Sequence, residues 1–422
     1  MAAPAARANG GGDMRNYVLV TAAYWADTIV DGATRILVLF YFYELGYSPL
    51  KVALLFLFYE LFGIVTNLVG GYIAARRGLK ATLFMGLGIQ LLALAMLGLV
   101  PQAWLVVPYV MVSQALSGIA KDLTKMSSKS AVKLVVPEDS DSALYKWVAI
   151  LTGSKNALKG VGFFIGGLLL TVVGFRTAIL LLGALILTAL VVVSSLMRGS
   201  LGTTDSTARF RHMLSNNRAV NILAAARIFL FASRDVWFVV GLPVYLRAVL
   251  DWSFWEVGTL LAVWVIGYGI VQASAPRFIR RPDGRTATWL AFALAALPAA
   301  IATALAADVD PTIVLIVGLI VFGLVFALNS AVHSYLILAY ADGDKVAMNV
   351  GFYYMANAGG RLFGTVLSGA LYQWQGLTAC LWASAVFVVA AGVLSLLLPR
   401  RVAGRSRPVG AGPLARVDSQ SS

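Results

Sequence analysis

The chain has 422 residues, 60% of them hydrophobic and 12% charged, with a mean hydropathy of +0.83. A soluble chain of this length needs more polar area than that to cover its surface, so the composition excludes a water-soluble globule and predicts a polytopic membrane protein. Its 33 Lys and Arg against 19 Asp and Glu leave a formal charge of +14, which the distribution along the chain must explain.

Residues 1–15 form an Ala/Gly-rich tail without the apolar stretch that a signal peptide needs, and Met14 offers a second start. A helix crosses a bilayer with about 20 apolar residues. Twelve such runs begin near Asn16, Lys51, Ala81, Trp104, Ser142, Arg176, Arg218, Phe254, Arg285, Pro311, Lys345 and Leu377. The fold class expected is therefore an all-α polytopic membrane protein with twelve transmembrane helices.

With the first tail inside and the helices alternating, the inner segments hold 22 Lys and Arg, while the outer loops hold three: Lys51, Arg176 and Arg247. That asymmetry satisfies the positive-inside rule and puts both termini in the cytoplasm. Topology thus explains most of the positive charge, and nucleic acid is not an expected partner, since a nucleic-acid binder concentrates its charge on a soluble face. Cys380 is the single cysteine, which excludes an intrachain disulfide framework and a multi-cysteine metal site. His212 and His333, the two histidines, lie too far apart to suggest a metal cluster. There is no GxxxxGK[ST] stretch, so the chain alone is not expected to drive transport with ATP. No cofactor is expected, and no nucleophile-base set suggests an enzyme.

The charged stretch containing GSLGTTDST divides the chain. The expected organisation is a tail over 1–15, a six-helix half over 16–197, a cytoplasmic linker over 198–217, a second half over 218–399 and a basic tail over 400–422. A weak internal repeat agrees: a shift of 202 residues places Lys159 on Arg361, Gly162 on Gly364, Gly167 on Gly369 and Gly174 on Gly376. A shift of 205 places Tyr47-Ser48 on Trp252-Ser253. Ser48 before Pro49 reads as an N-cap with Pro at the first helical position, and Ser253 with Glu256 as a capping box.

Between the second and third runs the sequence GYIAARRGLK over 71–80 resembles the GxxxDRxGRK-like signature of the major facilitator superfamily, with Ala75 where that family carries Asp. GFFIGG over 162–167 resembles the exporters' GPxxGG with its Pro replaced. The RxxQG pattern of proton-coupled drug exporters survives only as QALSG over 114–118, without its Arg. The resemblance implies two parallel six-helix halves about an axis normal to the membrane.

Eight cations lie inside the apolar runs, namely Arg35, Lys121, Lys125, Lys155, Lys159, Arg227, Arg234 and Arg361, against the five carboxylates Asp27, Asp31, Glu60, Asp122 and Asp235. A charge at membrane depth costs a few kcal/mol and normally faces a cavity or a partner. In the first run Asp31 and Arg35, four apart, are placed to neutralise each other. That leaves Asp27, about 15 Å along the helix, as the first candidate for proton coupling, with Asp31 and Glu60 next. Lys121, Lys125, Lys129 and Lys133 form one stripe at steps of four. The outer two of that stripe either extend an anion path or meet lipid phosphates. Lys155 and Lys159 stand one turn apart, and Arg361 offers planar bidentate recognition from the other half. The competing reading is that these cations pair with Asp27, Asp31 or Glu60 and only tie helices together. Arg227 is the expected ligand of the seventh run, where Arg234 and Asp235 do not share a narrow face. His333, whose ring titrates near neutrality when unperturbed, is either functional or a hydrogen-bonded packing residue beside Asn329. Substrate-binding candidates are thus Lys121, Lys125, Lys155, Lys159, Arg227 and Arg361.

Four strings go further: RNYVLVTAAYWA from Arg15, DGATR from Asp31, ELGYSPL from Glu44, and SGIAKDLTKM from Ser117 continuing as SSKSAVKLVVP to Pro137. They resemble the ArsJ family of organoarsenical efflux permeases, a resemblance that runs from about Arg15 to Pro399. It implies export of 1-arseno-3-phosphoglycerate across a bacterial plasma membrane, a functional link to the glyceraldehyde-3-phosphate dehydrogenase that forms the ester, and arsenate resistance. Other readings stay open: a carrier of another organophosphate or sugar-acid anion, a drug-proton antiporter, or a non-transporting anion sensor.

Overall fold

A computed structural model describes residues 10–131, 141–197, 217–279, 282–307, 309–340 and 346–399. Most of the first tail, the linker over 198–216, the final tail, Lys133, His212 and Lys345 lie outside the described residues, as does the side chain of Lys129. No strand occurs among the described residues.

The chain begins with α1 (Gly10–Glu44), α2 (Pro49–Leu55) and α3 (Leu57–Gly98). A single 3-10 turn at Gln102–Trp104 then leads to α4 (Val107–Ala131) and α5 (Asp141–Leu196). The rest consists of α6 (Arg218–Phe238), α7 (Gly241–Ala248), α8 (Phe254–Phe278), α9 (Gly284–Ala306), α10 (Pro311–Tyr340) and α11 (Val346–Ser395). Local chemistry sets the starts. The Ser48 side chain accepts from Lys51 N at 3.4 Å ahead of Pro49, and Ser253 N donates to the Glu256 carboxylate at 2.8 Å, so both caps read from sequence are present. Asn217 Oδ1 accepts from Ala219 N at 2.9 Å and opens α6.

Among the described residues, seven helical segments are long and apolar enough to cross a membrane. Two of them, Ser154–Leu196 and Phe352–Ser395, are 43 and 44 residues long, about twice what one crossing needs. Each is broken by a glycine: Gly174 at φ 74° and Gly376 at φ 72°. Only glycine enters this region without a Cβ clash, so the chain turns there. Gly78, at φ 79°, breaks α3 in the same way. The runs expected from Ala81, Arg176 and Leu377 thus begin within three residues of these breaks. The run expected from Trp104 starts later, because Trp104 belongs to the 3-10 turn. The run from Arg218 is interrupted between α6 and α7, where Val240 N and Gly241 N donate to Ser368 Oγ at 3.2 and 3.0 Å and so do not go unsatisfied.

The 202-residue repeat is visible in the packing. α5 lies along α1 and α11 along α6. A Cβ on Gly162 would collide with the Ile29 carbonyl of α1, and one on Gly364 would sit 2.8 Å from the Ala232 carbonyl of α6. Gly167 and Gly369 do the same between halves. A Cβ on Gly167 would strike the Phe254 carbonyl of α8, and one on Gly369 would lie 2.5 Å from the Pro49 carbonyl of α2. Absent side chains at these positions permit helix axes to approach closely.

One end of the bundle, carrying the turns 45–48 and 249–253, is closed across the halves. Arg247 Nε lies 3.2 Å from Glu44 Oε1, Leu50 N donates to Gln373 Oε1 at 3.3 Å, and the Phe40 and Phe254 rings stand 5.1 Å apart. The GYIAARRGLK stretch lies within α3, and of its side chains only Gly78 and Lys80 are among those described. Lys80 Nζ donates to the Met197 carbonyl at 3.2 Å, a cation on the carbonyl end of α5 where the helix dipole favours it.

Candidate functional site: a cationic cavity between the halves

A cavity of about 240 Å³ lies between the halves, walled mainly by α1, α3, α4, α5, α6, α8 and α11, with Pro243 of α7 and Ser334 of α10 completing the lining. All eight intramembrane cations line it, with four carboxylates, Asp31, Glu60, Asp122 and Asp235. Eight against four leaves a formal excess of four positive charges. The structure brings these cations, singled out in the sequence, around one cavity and decides which of them are already paired.

In the first half, Lys159 Nζ lies 3.1 Å from Asp31 Oδ2, and Tyr59 donates its hydroxyl to the other oxygen of Asp31. Arg35 instead reaches Glu60 at 3.2 Å. The expected neutralisation of Asp31 by Arg35 therefore does not occur, because α5 brings Lys159 against α1 and α3 brings Glu60 to Arg35. Lys125 contacts Asp122 at 2.7 Å and Asn67 Oδ1 at 2.8 Å. In the second half, Arg234 Nη2 folds back on Asp235 at 2.5 Å, the long guanidinium arm spanning the two helix faces on which these neighbours stand. Arg361 Nη2 lies 2.6 Å from Glu60 across the cavity and its Nε 3.6 Å from Asp235.

Two cations face the cavity without an ion-pair partner among the described residues. Lys121 Nζ lies 4.0 Å above the Tyr59 ring, a cation–π contact of modest strength. Arg227 is 4% exposed. Its Nε donates to Asn357 Oδ1 at 3.1 Å and its Nη1 to the Ser330 carbonyl at 3.2 Å, and its guanidinium stacks 4.0 Å from the Phe231 centroid. Neutral contacts orient this arginine and leave its charge uncompensated. Lys121 comes from the first half and Arg227 from the second. Lys155 also lines the cavity.

Asp27 stands behind the wall. It is 1% exposed, its Oδ2 accepts from Thr124 Oγ1 at 2.5 Å, and its Oδ1 has no hydrogen-bond partner among the described residues. His333 and Asn329 are fully buried in α10, and neither His333 ring nitrogen nor either Asn329 amide atom has a hydrogen-bond partner among the described residues, so the hydrogen-bonded packing histidine is not what forms. No group of three or more His, Cys, Asp or Glu suited to a metal occurs among the described residues.

The sequence reading missed the contribution of α8. Tyr268 donates to Ser330 Oγ at 3.1 Å, and Gln272 Oε1 accepts from Asn156 Nδ2 of α5 at 3.4 Å, a contact between the halves beside the cavity. Gln272 is the lone amide side chain in an apolar helix, which was the available signal.

The sequence profile of the Major Facilitator Superfamily matches residues 20–341. A solved structure of a POT family transporter in complex with 5-aminolevulinic acid superposes with a TM-score of 0.75 at 14% identity, covering 90% of this chain and 95% of that one. A point mutant of the nucleoside transporter NupG superposes with a TM-score of 0.71 at 14% identity, covering 90% and 98%. No curated protein sequence matches the chain.

Proposed function

We propose that this chain, which belongs to the Major Facilitator Superfamily, is an efflux carrier for a small organic anion, and that the anion is 1-arseno-3-phosphoglycerate. The family and fold make it a membrane transporter of small substrates and not an enzyme. The observation that carries the anion reading is the gathering of all eight intramembrane cations around one cavity between the halves, with Lys121 from one half and Arg227 from the other lining it without a carboxylate within 4.0 Å among the described residues. An ester with phosphate-like groups at both ends suits two cationic clamps: Lys121, Lys125, Lys155 and Lys159 from one half, Arg227 and Arg361 from the other. The arsenic-bearing substrate rests on the resemblance of the strings over 15–50 and 117–137, and with it the bacterial plasma membrane, the link to glyceraldehyde-3-phosphate dehydrogenase and arsenate resistance.

The chain crosses the membrane twelve times in this reading, with the breaks at Gly78, Gly174 and Gly376 as turns between crossings. The excess of Lys and Arg in alternate segments assigns both termini to the cytoplasm and the closed end to the outer face. Transport proceeds by exchange between a state open inside and one open outside. Asp27 is the carboxylate assigned to proton coupling, since Asp31 and Glu60, its companions from the sequence, are each held by a cation. Replacing Lys155 or Lys159 by Gln should abolish export with membrane insertion intact. Undiminished export by both variants would remove the first clamp from this account.

A further inference from the structure

Lys159 and Arg361 stand 202 residues apart in matching positions, and Asp31 and Asp235 stand 204 apart. In the first half this pair closes on itself, Lys159 to Asp31 at 3.1 Å. The second half breaks the pattern. Asp235 is held by Arg234 at 2.5 Å, leaving Arg361 a contact of 3.6 Å, and the shortest contact of Arg361 runs at 2.6 Å to Glu60 of the opposite half. Glu60 is 1% exposed and at the same time accepts from Arg35 of its own half at 3.2 Å. A carboxylate of one half thus sits on an arginine that lines the cavity from the other.

Resting on the anion-carrier reading above, we infer that Glu60 is an internal counter-anion that covers Arg361 while the carrier is empty and yields it to the substrate on loading. To change sides, a carrier passes through a form closed at both ends, in which the cavity charges lose water. A buried charge without a partner is costly there, and eight cations against four carboxylates make the empty form the difficult one. Glu60 lowers that barrier by pairing with Arg361 across the halves. On loading, the guanidinium of Arg361 turns to a phosphate-like group, which it can grip with two parallel hydrogen bonds. Arg35 then keeps Glu60 paired, so the carboxylate is never left alone. The consequence is a mode of transport: the carrier returns without a counter-anion, and export is net rather than one-for-one anion exchange. Glu60 acts as a positioning residue, competing with the substrate for Arg361.

The test uses the full chain in proteoliposomes enclosing labelled arsenate, glyceraldehyde 3-phosphate, NAD and glyceraldehyde-3-phosphate dehydrogenase. Net efflux is labelled arsenic leaving into plain buffer; exchange is its exit when the same unlabelled mixture is present outside. Glu60→Gln should slow net efflux by roughly tenfold or more, a barrier increase of about 1.4 kcal/mol, while exchange continues and half-saturates at a lower ester concentration. Glu60→Asp, which keeps the carboxylate, should retain net efflux. Equal loss of both modes in the two variants would make Glu60 a structural tie and overturn the inference, as would Glu60→Gln vesicles that show the wild-type ratio of the two modes. Wild-type vesicles that release arsenic in neither mode would overturn the carrier reading itself.

Discussion

Thr124 of α4 donates a 2.5 Å hydrogen bond to Asp27 of α1, and of the five carboxylates inside the apolar runs Asp27 is the one without a cation within 4.0 Å among the described residues. A carboxylate that no cation holds directly can take up and release a proton during the transport cycle, whereas one locked to an arginine stays charged. Asp27→Asn keeps the shape and an acceptor for Thr124. Export by that variant should no longer respond to an imposed proton gradient, while anion binding persists. Gradient-stimulated export by Asp27→Asn vesicles would move the coupling site elsewhere.

Lys121 and Arg227 should separate from the paired cations in their effect on stability. Removing a cation that holds no carboxylate strands no buried charge, so Lys121→Gln should leave the melting temperature nearly unchanged, and Arg227→Gln should cost at most about 1–3 kcal/mol for each of the acceptors it abandons, Asn357 Oδ1 and the Ser330 carbonyl. Binding of an anionic ester should weaken by about 1.5–3 kcal/mol for each charge-assisted hydrogen bond removed. Lys125→Gln, which abandons the buried Asp122, should cost about 3–5 kcal/mol of stability. Thermal unfolding and ligand titration of the three purified variants check both parts; similar destabilisation in all three would contradict the assignment of partners.

The glycines should divide by where they pack. Gly162 and Gly364 sit within halves, so alanine at either should lower fold stability. Gly167 and Gly369 sit between halves, where alanine should instead push apart the closed end and leave each half intact. Distances between spin labels placed on the exposed residues Val106 and Val309 would report that opening. No lengthening in Gly167→Ala and Gly369→Ala would mean that the two glycines do not hold the end shut.

The Arg247–Glu44 pair closes the same end, yet Glu44 is 45% exposed and Arg247 also contacts Asp251. Exposed pairs of this kind contribute about 0.2–1 kcal/mol. Glu44→Gln should therefore change unfolding free energy by less than about 1 kcal/mol, and a larger loss in a denaturation series would show that the pair is more than a surface contact.

How far the sequence reached is clearest at the charges. Runs of apolar residues are local, so helix positions were legible, and the offset of 202 located Gly174 and Gly376, which share a backbone conformation that other residues rarely adopt. The cations were legible too, because a lysine inside an apolar helix needs a polar destination whatever the fold. Their partners were not. Arg35 and Glu60 are 25 residues apart, and Glu60 and Arg361 are 301 apart. Such pairings follow from which helix faces meet, which no spacing within one helix encodes. Asp31 and Arg35, four apart, looked like a pair for that reason, and the approach of α5 drew Asp31 to Lys159 instead. Tyr268 and Gln272 reach the cavity through a helix whose sequence is otherwise apolar, so periodicity gave little sign of them.

The most direct measurement is uptake of labelled arsenic by inside-out vesicles containing this protein, supplied with arsenate alone or with arsenate, glyceraldehyde 3-phosphate, NAD and glyceraldehyde-3-phosphate dehydrogenase. Uptake that requires the complete mixture and is lost in Arg227→Gln is the expected result. Equal uptake from arsenate alone, or none from the complete mixture by folded wild-type protein, would contradict export of the organic ester.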